Sequence, residues 1–294
     1  MDALIKVEVN TDGLAKLAET FGNWTGLNAR GKERMADAEA YAEVRKVDAQ
    51  NAAALARLEG EERIAQYIYT RESRKMNNVQ QIVNKAEEQF AEGEQVSSEP
   101  VNQDWQNRFF SIAEDISDEE MQKLWAQILA GEVKHPKSFS LRTLEALRNI
   151  SKEEAESIQK VAKFIIDTNS LCSEKFALQL TDQLLMDELG IVKGETLTRT
   201  YHIKPDSPYN LILGKQVFLT LYSSKNIKVK LSHYAISKIG LEIFKLVTED
   251  IDDQYILNLS NHLKTLGVER ITKNKIIKWN ESQYTYNCNL ECEI

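Results

Sequence analysis

The chain has 294 residues, which is long enough for two domains with a sizeable hydrophobic core. Its 42% hydrophobic and 28% charged residues are typical of a water-soluble folded protein. The net charge of −8 argues against a general nucleic-acid coat protein, although a local basic patch is compatible with it. No stretch is apolar over the roughly 18 residues that a membrane-spanning helix needs, and the N-terminus lacks the basic start and apolar core of a secretory signal.

The cysteine content indicates a reducing compartment. The chain has three cysteines, Cys172, Cys288 and Cys292, an odd number whose spacing is not typical of a disulfide framework. We therefore expect a cytoplasmic protein.

Residues 1–30 include a short segment with apolar side chains at helical spacing, from Leu14 to Phe21, followed by Trp24. This pattern predicts a small docking element that packs on its own protein or on a neighbouring subunit. A second interpretation is an interfacial membrane anchor with Trp24 at the lipid boundary. Few lysines flank the segment, and membrane-surface helices are usually basic, so docking is the favoured interpretation.

Residues 31–95 are rich in alanine and other strong helix formers, and no proline occurs before Pro100. The composition predicts a long helix that assembles subunits into a homo-oligomer. Polar residues interrupt a strict coiled-coil heptad, and a single-chain helix folded back at Gly60 is the alternative. The predicted assembly stripe consists of Val44, Val47, Leu55, Leu58 and Ile68.

Helix-start and helix-stop signals divide residues 100–170. Ser117 and Glu120 match a capping box, in which the Ser side chain caps the third backbone amide of the helix. Gly131 is a natural C-cap residue, and Pro136 prevents simple continuation of that helix.

A second capping box is formed by Ser151 and Glu154. These signals predict a compact bundle of about four short helices. Its predicted core consists of Trp105, Phe109, Leu124, Trp125, Ile128 and Leu144.

Two segments of this region, SDEEMQKLWAQILAGE and HPKSFSLRTLEALRNISKEEAE, resemble the signature of an uncharacterised bacterial domain-of-unknown-function family. The resemblance extends upstream to EPVNQDWQNRFFSIAEDI and covers about residues 30–170. It implies a gene often found near prophage or mobile elements, and it implies no catalytic residue. The acidic start and the WAQILA core are also faintly similar to abortive-infection helical proteins.

Residues 171–294 change character, and two strand-like runs, VFLTLYS and NIKVKLSH, are separated by a tight polar turn. The predicted hairpin and its flanking helices resemble a winged-helix module for partner recognition. A last hairpin is expected to turn near Asn280. The predicted fold class is therefore mostly α, with a long N-terminal helix, a central bundle and a C-terminal α+β domain.

The predicted hairpin carries Lys225, Lys228 and Lys230, which are candidate contacts to a phosphate backbone. Protein–protein contact by the same module is the favoured interpretation. No predicted helix has the face rich in Arg, Asn and Gln that base readout uses.

No pattern in the sequence points to catalysis, to a cofactor or to a metal. The four histidines lie far apart and match no zinc-ligand spacing. Walker, GxGxxG and GxSxG motifs do not occur. We therefore expect a non-enzymatic homo-oligomeric scaffold or sensor, with anti-phage defence as the setting that the resemblance implies. The alternatives are a nucleic-acid-binding regulator and a membrane-acting effector.

Overall fold

The structure is a computed structural model, and the chain folds as two compact units, Met1–Leu144 and Glu145–Ile294. The finer division into residues 1–30, 31–95, 100–170 and 171–294 stays a prediction. The structure describes residues 11–27, 52–91, 94, 96–214, 216–247, 251–280, 283–286 and 292–293.

The first unit is helical over its described residues. Its helices form where the sequence has strong helix formers and polar N-caps, such as Asn102, whose side chain accepts hydrogen bonds from two backbone amides. The helices are α1 (Thr11–Leu27), α2 (Ala52–Glu87), α3 (Gln103–Ala113), α4 (Glu119–Lys134) and α5 (Leu141–Arg148), of which α5 crosses the boundary between the units.

Aromatic side chains form the core of the first unit. Phe109 and Trp125 are fully buried, and their ring centroids lie 5.4 Å apart. Helix α1 adds Trp24, whose ring stacks 4.9 Å from that of Phe110. Leu17 and Trp24 of α1 are buried inside the unit and contribute to its core.

The boundaries of α4 differ from the predicted ones. The N-cap is Asp118, whose carboxylate accepts the backbone N–H of Met121 at 3.0 Å, so the capping box predicted at Ser117 is wrong. Gly131 lies inside the helix, which continues to Lys134, so its predicted C-cap role is also wrong. The reason for a glycine is instead close packing, since a Cβ at this position would lie 2.9 Å from the ring of Phe139.

The loop after α4 is tied to the helix by a buried carboxylate. The side chain of Glu132 accepts the backbone N–H of Lys137 at 2.6 Å and that of Phe139 at 3.0 Å. Lys137 has a φ of 73°, in the left-handed region, and the carboxylate stabilises this turn. The indole N–H of Trp105 donates to the carbonyl of Phe139 at 2.9 Å, so the loop is held from both sides.

The second unit is built on an antiparallel sheet with nine strands among the described residues. The predicted capping box of Ser151 and Glu154 is confirmed, because both of its hydrogen bonds form. The elements are α6 (Lys152–Ala162), β1 (Ile165–Ile166), β2 (Ser170–Cys172), α7 (Leu180–Glu188), β3 (Val192–Ile203), β4 (Tyr209–Leu213), β5 (Val217–Tyr222), β6 (Ile227–Ile236), α8 (Lys238–Ile243), α9 (Asp253–Thr265), β7 (Arg270–Asn280), β8 (Gln283–Tyr286) and β9 (Cys292–Glu293).

The strand order is β3-β6-β2-β1-β4-β5-β7-β8, and β9 also pairs with β7. The predicted hairpin of residues 217–223 and 226–233 is therefore wrong, because β5 pairs with β4 and β7 while β6 pairs with β2 and β3. The chain between β5 and β6 crosses from one part of the sheet to another. The predicted last hairpin is confirmed, since Asn280 pairs with Gln283 across the β7–β8 turn.

The predicted fold class, mostly α with a long N-terminal helix and a central bundle, is wrong. A large sheet organises the second unit in place of a winged-helix-like hairpin module, and helices do not dominate the fold as a central bundle. Of the predicted helix 31–95, the structure describes Ala52–Glu87, and residues 31–51 lie outside the described residues. The architecture depends on pairing between strands that are distant in sequence. The local periodicity of apolar residues does not indicate which strands pair.

In the described part of the chain, no helix combines the length and the apolar character that crossing a bilayer requires.

We predict that Glu132→Gln lowers the free energy of unfolding by about 2 kcal/mol, because one of the two buried amides then faces an NH2 group and loses its acceptor. Urea denaturation measures this loss. The control is Glu119→Gln on the same helix, since Glu119 is exposed and should change stability by less than about 0.5 kcal/mol. Equal effects of the two substitutions would contradict the role of the buried carboxylate.

Candidate interaction surfaces

Helix α2 has one apolar face, and the structure buries only part of it. Near the C-terminal end of the helix, this face packs inside the first unit through Val79, Ile82 and Ala86. Where the burial ends, the ammonium of Lys75 binds the carboxylate of Glu114 at 2.6 Å. The amide of Asn78 donates to the backbone carbonyl of the same glutamate at 2.9 Å.

The N-terminal part of the same face is exposed. Ile64 and Ile68 lie on the side of the helix that carries Lys75 and Ile82, because these positions are separated by whole numbers of helical turns. Ile64 is 61% exposed, Ile68 is 40% exposed, and the neighbouring Tyr67 is 67% exposed. The apolar face of α2 therefore continues beyond the core of the first unit and is exposed there. We call Ile64, Tyr67 and Ile68 the α2 stripe.

Charges of opposite sign flank the α2 stripe. Glu61 and Glu62 precede it, and Arg71 and Arg74 follow it. Arg63 and Glu72 also lie in these segments, so residues 61–63 have a net charge of −1 and residues 71–74 a net charge of +1. The helix therefore has a net acidic end, an apolar centre and a net basic end.

The predicted assembly residues overlap only partly with this surface. Val44 and Val47 lie outside the described residues, and Leu55 and Leu58 lie on the described backbone of α2, whose side chains there are not described. Ile68 is exposed. The predicted stripe did not include Ile64 and Tyr67, although Tyr67 and Ile68 follow Ile64 at the helical spacings of three and four residues.

The predicted bundle-core residues lie in the first unit and contribute to its interior. Leu124 is half-buried, and the others are buried, namely Trp105, Phe109, Trp125, Ile128 and Leu144. They are packing residues in this structure.

The predicted phosphate contacts are not on a hairpin tip. Lys225 lies in the connection between β5 and β6, and its backbone N–H donates to the side chain of Ser223. Lys228 and Lys230 lie on β6 and point to the same side of the sheet, since they are two residues apart. Their neighbours across the ladder on β3 are His202 and Thr200, respectively.

The outward face of the β3–β6 ladder carries polar side chains. It consists of Thr198, Thr200 and His202 on β3 and of Lys228, Lys230 and Ser232 on β6. Ser232 is half-buried and the other five are exposed. Lys228 and Lys230 have no carboxylate partner among the described residues. We call these six residues the ladder face.

The opposite side of the ladder is tied to the β1–β2 turn by an ionic clamp. The guanidinium of Arg199 donates to Asp167 at 2.7 Å and to Asn169 at 3.2 Å. The hydroxyl of Tyr201 donates to the same carboxylate of Asp167 at 3.1 Å. Asp167 has a φ of 54°, a left-handed conformation that aspartate tolerates better than most residues.

Burial and charge act on the groups of the clamp in different directions. Burial is the largest single effect on Arg199 and disfavours its charged form, but the hydrogen bond to Asp167 and the other interactions with Asp167 and Tyr201 together raise the pKa of Arg199 above its usual value. Burial, followed by the charge of Asp167, raises the pKa of Tyr201. Burial and the charge of Arg199 lower the pKa of the nearby His233. The clamp is therefore an ion pair beside a neutral phenol and a neutral imidazole at pH 7.

The remaining reactive groups show no arrangement for metal binding in the part of the chain that the structure describes, where no cluster of three His, Cys, Asp or Glu side chains occurs. Cys172 is a buried free thiol, and burial raises its pKa to about 11. At neutral pH this thiol is protonated, which makes it a poor nucleophile.

The model of a family described as Protein of unknown function (DUF2806) matches residues 62–179 and 166–260. Because the two matches together span more than half of the chain, the protein belongs to this family, and the predicted resemblance to an uncharacterised family is confirmed. A search of curated proteins found no match. A search of solved structures found no match either. The α2 stripe and the ladder face both lie within the matched residues.

We predict that Arg199→Met loosens the β3–β6 ladder, because the half-buried carboxylate of Asp167 loses its cationic partner. The free energy of unfolding should fall by about 1–3 kcal/mol, and the amides of β3 should exchange hydrogen faster. Urea denaturation and hydrogen exchange measure the two effects. The control is Lys193→Met, since Lys193 is exposed on the same strand. Equal exchange rates in the two variants would exclude a clamping role.

Proposed function

We propose that this DUF2806 protein is a non-enzymatic homo-oligomeric scaffold whose subunits join through the N-terminal part of α2. One observation carries the proposal: the apolar face that packs inside the first unit continues outward as the exposed α2 stripe. A contiguous exposed apolar patch on a folded unit is typical of a protein–protein interface. The proposed occupant of the stripe is α2 of a second copy.

The size of the stripe limits the strength of the association that it alone supports. Full burial of a large apolar side chain contributes about 1.5–3 kcal/mol, and the three stripe residues are already partly covered. Six such side chains in a dimer give roughly 6–9 kcal/mol, whereas association costs at least about 4 kcal/mol in lost rigid-body freedom. A tight complex therefore needs more of α2 than the stripe.

The flanking charges favour an antiparallel pair of helices. In this alignment Glu61 of one α2, which lies on the same side of the helix as the stripe, lies beside the basic end of the other, with Arg71 and Arg74. A parallel alignment would bring like charges together at both ends. Charge patterns of this kind set helix orientation in helical assemblies.

We further propose that the scaffold works in the cytoplasm and takes part in host–phage conflict. The buried free thiol of Cys172 supports a reducing compartment. The similarity of the acidic helix start and the WAQILA core to abortive-infection helical proteins supports the setting. Phage plaque counts on cells with and without the gene measure this role, and equal counts would contradict it.

We predict that Ile64→Ser combined with Tyr67→Ser weakens self-association at least about 100-fold, because four apolar side chains leave the proposed dimer interface. Light-scattering mass over a range of concentrations measures this effect. Tyr69→Ser is the matched control, since Tyr69 is 47% exposed on the same helix but lies on another face. A wild-type monomer at all concentrations, or an equal loss in the control, would overturn the proposal. A monomer would indicate that the chain itself or a different protein covers the stripe.

We also predict that Arg71→Glu combined with Arg74→Glu weakens self-association, because an antiparallel pair would then bring negative charges together at both ends. Adding Glu61→Arg to the same chain should restore it, since opposite charges face each other again. Sedimentation equilibrium at low salt measures the three proteins. In a parallel pair, like charges would meet at both ends in all three proteins. Self-association would then show no loss and recovery across them, and this result would contradict the antiparallel arrangement.

A further inference from the structure

The ladder face differs from the rest of the molecule in charge. Between Val192 and Ile236 the chain has seven Lys and Arg but two Asp and Glu, whereas the whole protein has a net charge of −8. Two of the seven basic residues, Lys228 and Lys230, lie on the ladder face. The six residues of the ladder face include two lysines and no acidic residue. A local cationic surface on an acidic protein is suited to a polyanionic partner. The negative charge elsewhere on the protein restricts the binding of such a partner to this face.

The shape of this surface narrows the class of partner. At Lys228 and Lys230, β6 pairs with β3 alone among the described strands, because its pairing with β2 begins at His233. The ladder is therefore a two-stranded ribbon at this point, and β3 is the edge strand of the sheet. The major groove of B-form DNA admits a two-stranded ribbon.

We propose that the ladder face binds double-stranded DNA, with Lys228 and Lys230 in contact with phosphate groups. Hydroxyl groups from Thr198 and Thr200 stand beside them on β3 and are typical donors to phosphate oxygens. The surface offers none of the Arg, Asn or Gln pairs that discriminate bases. The binding is therefore independent of sequence and sensitive to salt.

The opposite side of the ribbon makes this surface rigid. Tyr201, Val229 and Leu231 are buried behind it, and Arg199 fastens β3 to the β1–β2 turn through Asp167. The two lysines thus project from a strand whose other face is fixed in the core. A fixed scaffold lowers the conformational entropy that is lost on binding.

The test uses the full-length protein and a short fluorescein-labelled DNA duplex of mixed sequence, with fluorescence anisotropy recorded over a range of salt concentrations. Replacing Lys228 and Lys230 with Gln should weaken binding to all duplexes alike. The slope of log K against log salt should become shallower by about 2, since each lost phosphate contact accounts for about 0.9. The control is Lys152→Gln combined with Lys175→Gln, two exposed lysines of the same unit outside the ladder face.

An unchanged slope in the Lys228 and Lys230 variant, or an equal change in the control, would overturn the proposal. Absence of binding to duplex together with binding to phosphatidylserine vesicles would also overturn it and reassign the face to an anionic membrane. Stronger binding to single-stranded DNA than to duplex would overturn the groove geometry. Circular dichroism and thermal midpoints establish that the variants fold, which is expected because both lysines are exposed.

Discussion

The buried carboxylate of Glu132 is the constraint on which the first unit depends. A charged group loses much hydration on burial, so its two backbone amide donors, those of Lys137 and Phe139, must stay in place. They fix the turn that ends α4, and this turn positions the ring of Phe139 over Gly131. The carbonyl of Phe139 then accepts the indole N–H of Trp105, which joins α3 to the same loop. One carboxylate therefore couples helix packing to loop geometry.

Helix α2 shows how one amphipathic face serves two purposes. Val79 and Ile82 bury one part of the face in the core, which fixes the orientation of the helix about its own axis. The same orientation then determines which side chains farther along α2 face away from the protein. Ile64 and Tyr67 are exposed for this reason, and they lie on the proposed interface. The rigid attachment of the C-terminal part prepares the N-terminal part for binding, because less freedom is lost on association.

The β3–β6 ladder uses the alternation of side chains along a strand in a similar way. Val229 and Leu231 point into the core. Because successive side chains of a strand point to opposite faces, the alternating residues Lys228 and Lys230 point outward. Arg199 adds an ionic connection from the edge strand to Asp167, and this connection spans the neighbouring strands of the sheet. The ladder face is consequently an ordered surface, whereas lysines on a free loop would be mobile.

The sequence by itself determined the local features: the capping box at Ser151, the last hairpin at Asn280 and the family to which the chain belongs. These depend on neighbours within a few residues or on motif identity, which the chain displays directly. Only the tertiary structure decided the sheet order, because β5 and β6 are adjacent in sequence yet do not pair with each other, and β5 pairs instead with β4 and the distant β7. The roles of Gly131 and Glu132 also could not be predicted from the sequence. The ring of Phe139 and the backbone amides of Lys137 and Phe139 contact these two residues only after the loop folds back. Local periodicity indicates which face of a strand or helix is apolar, but the packing of distant segments decides which part of that face stays exposed.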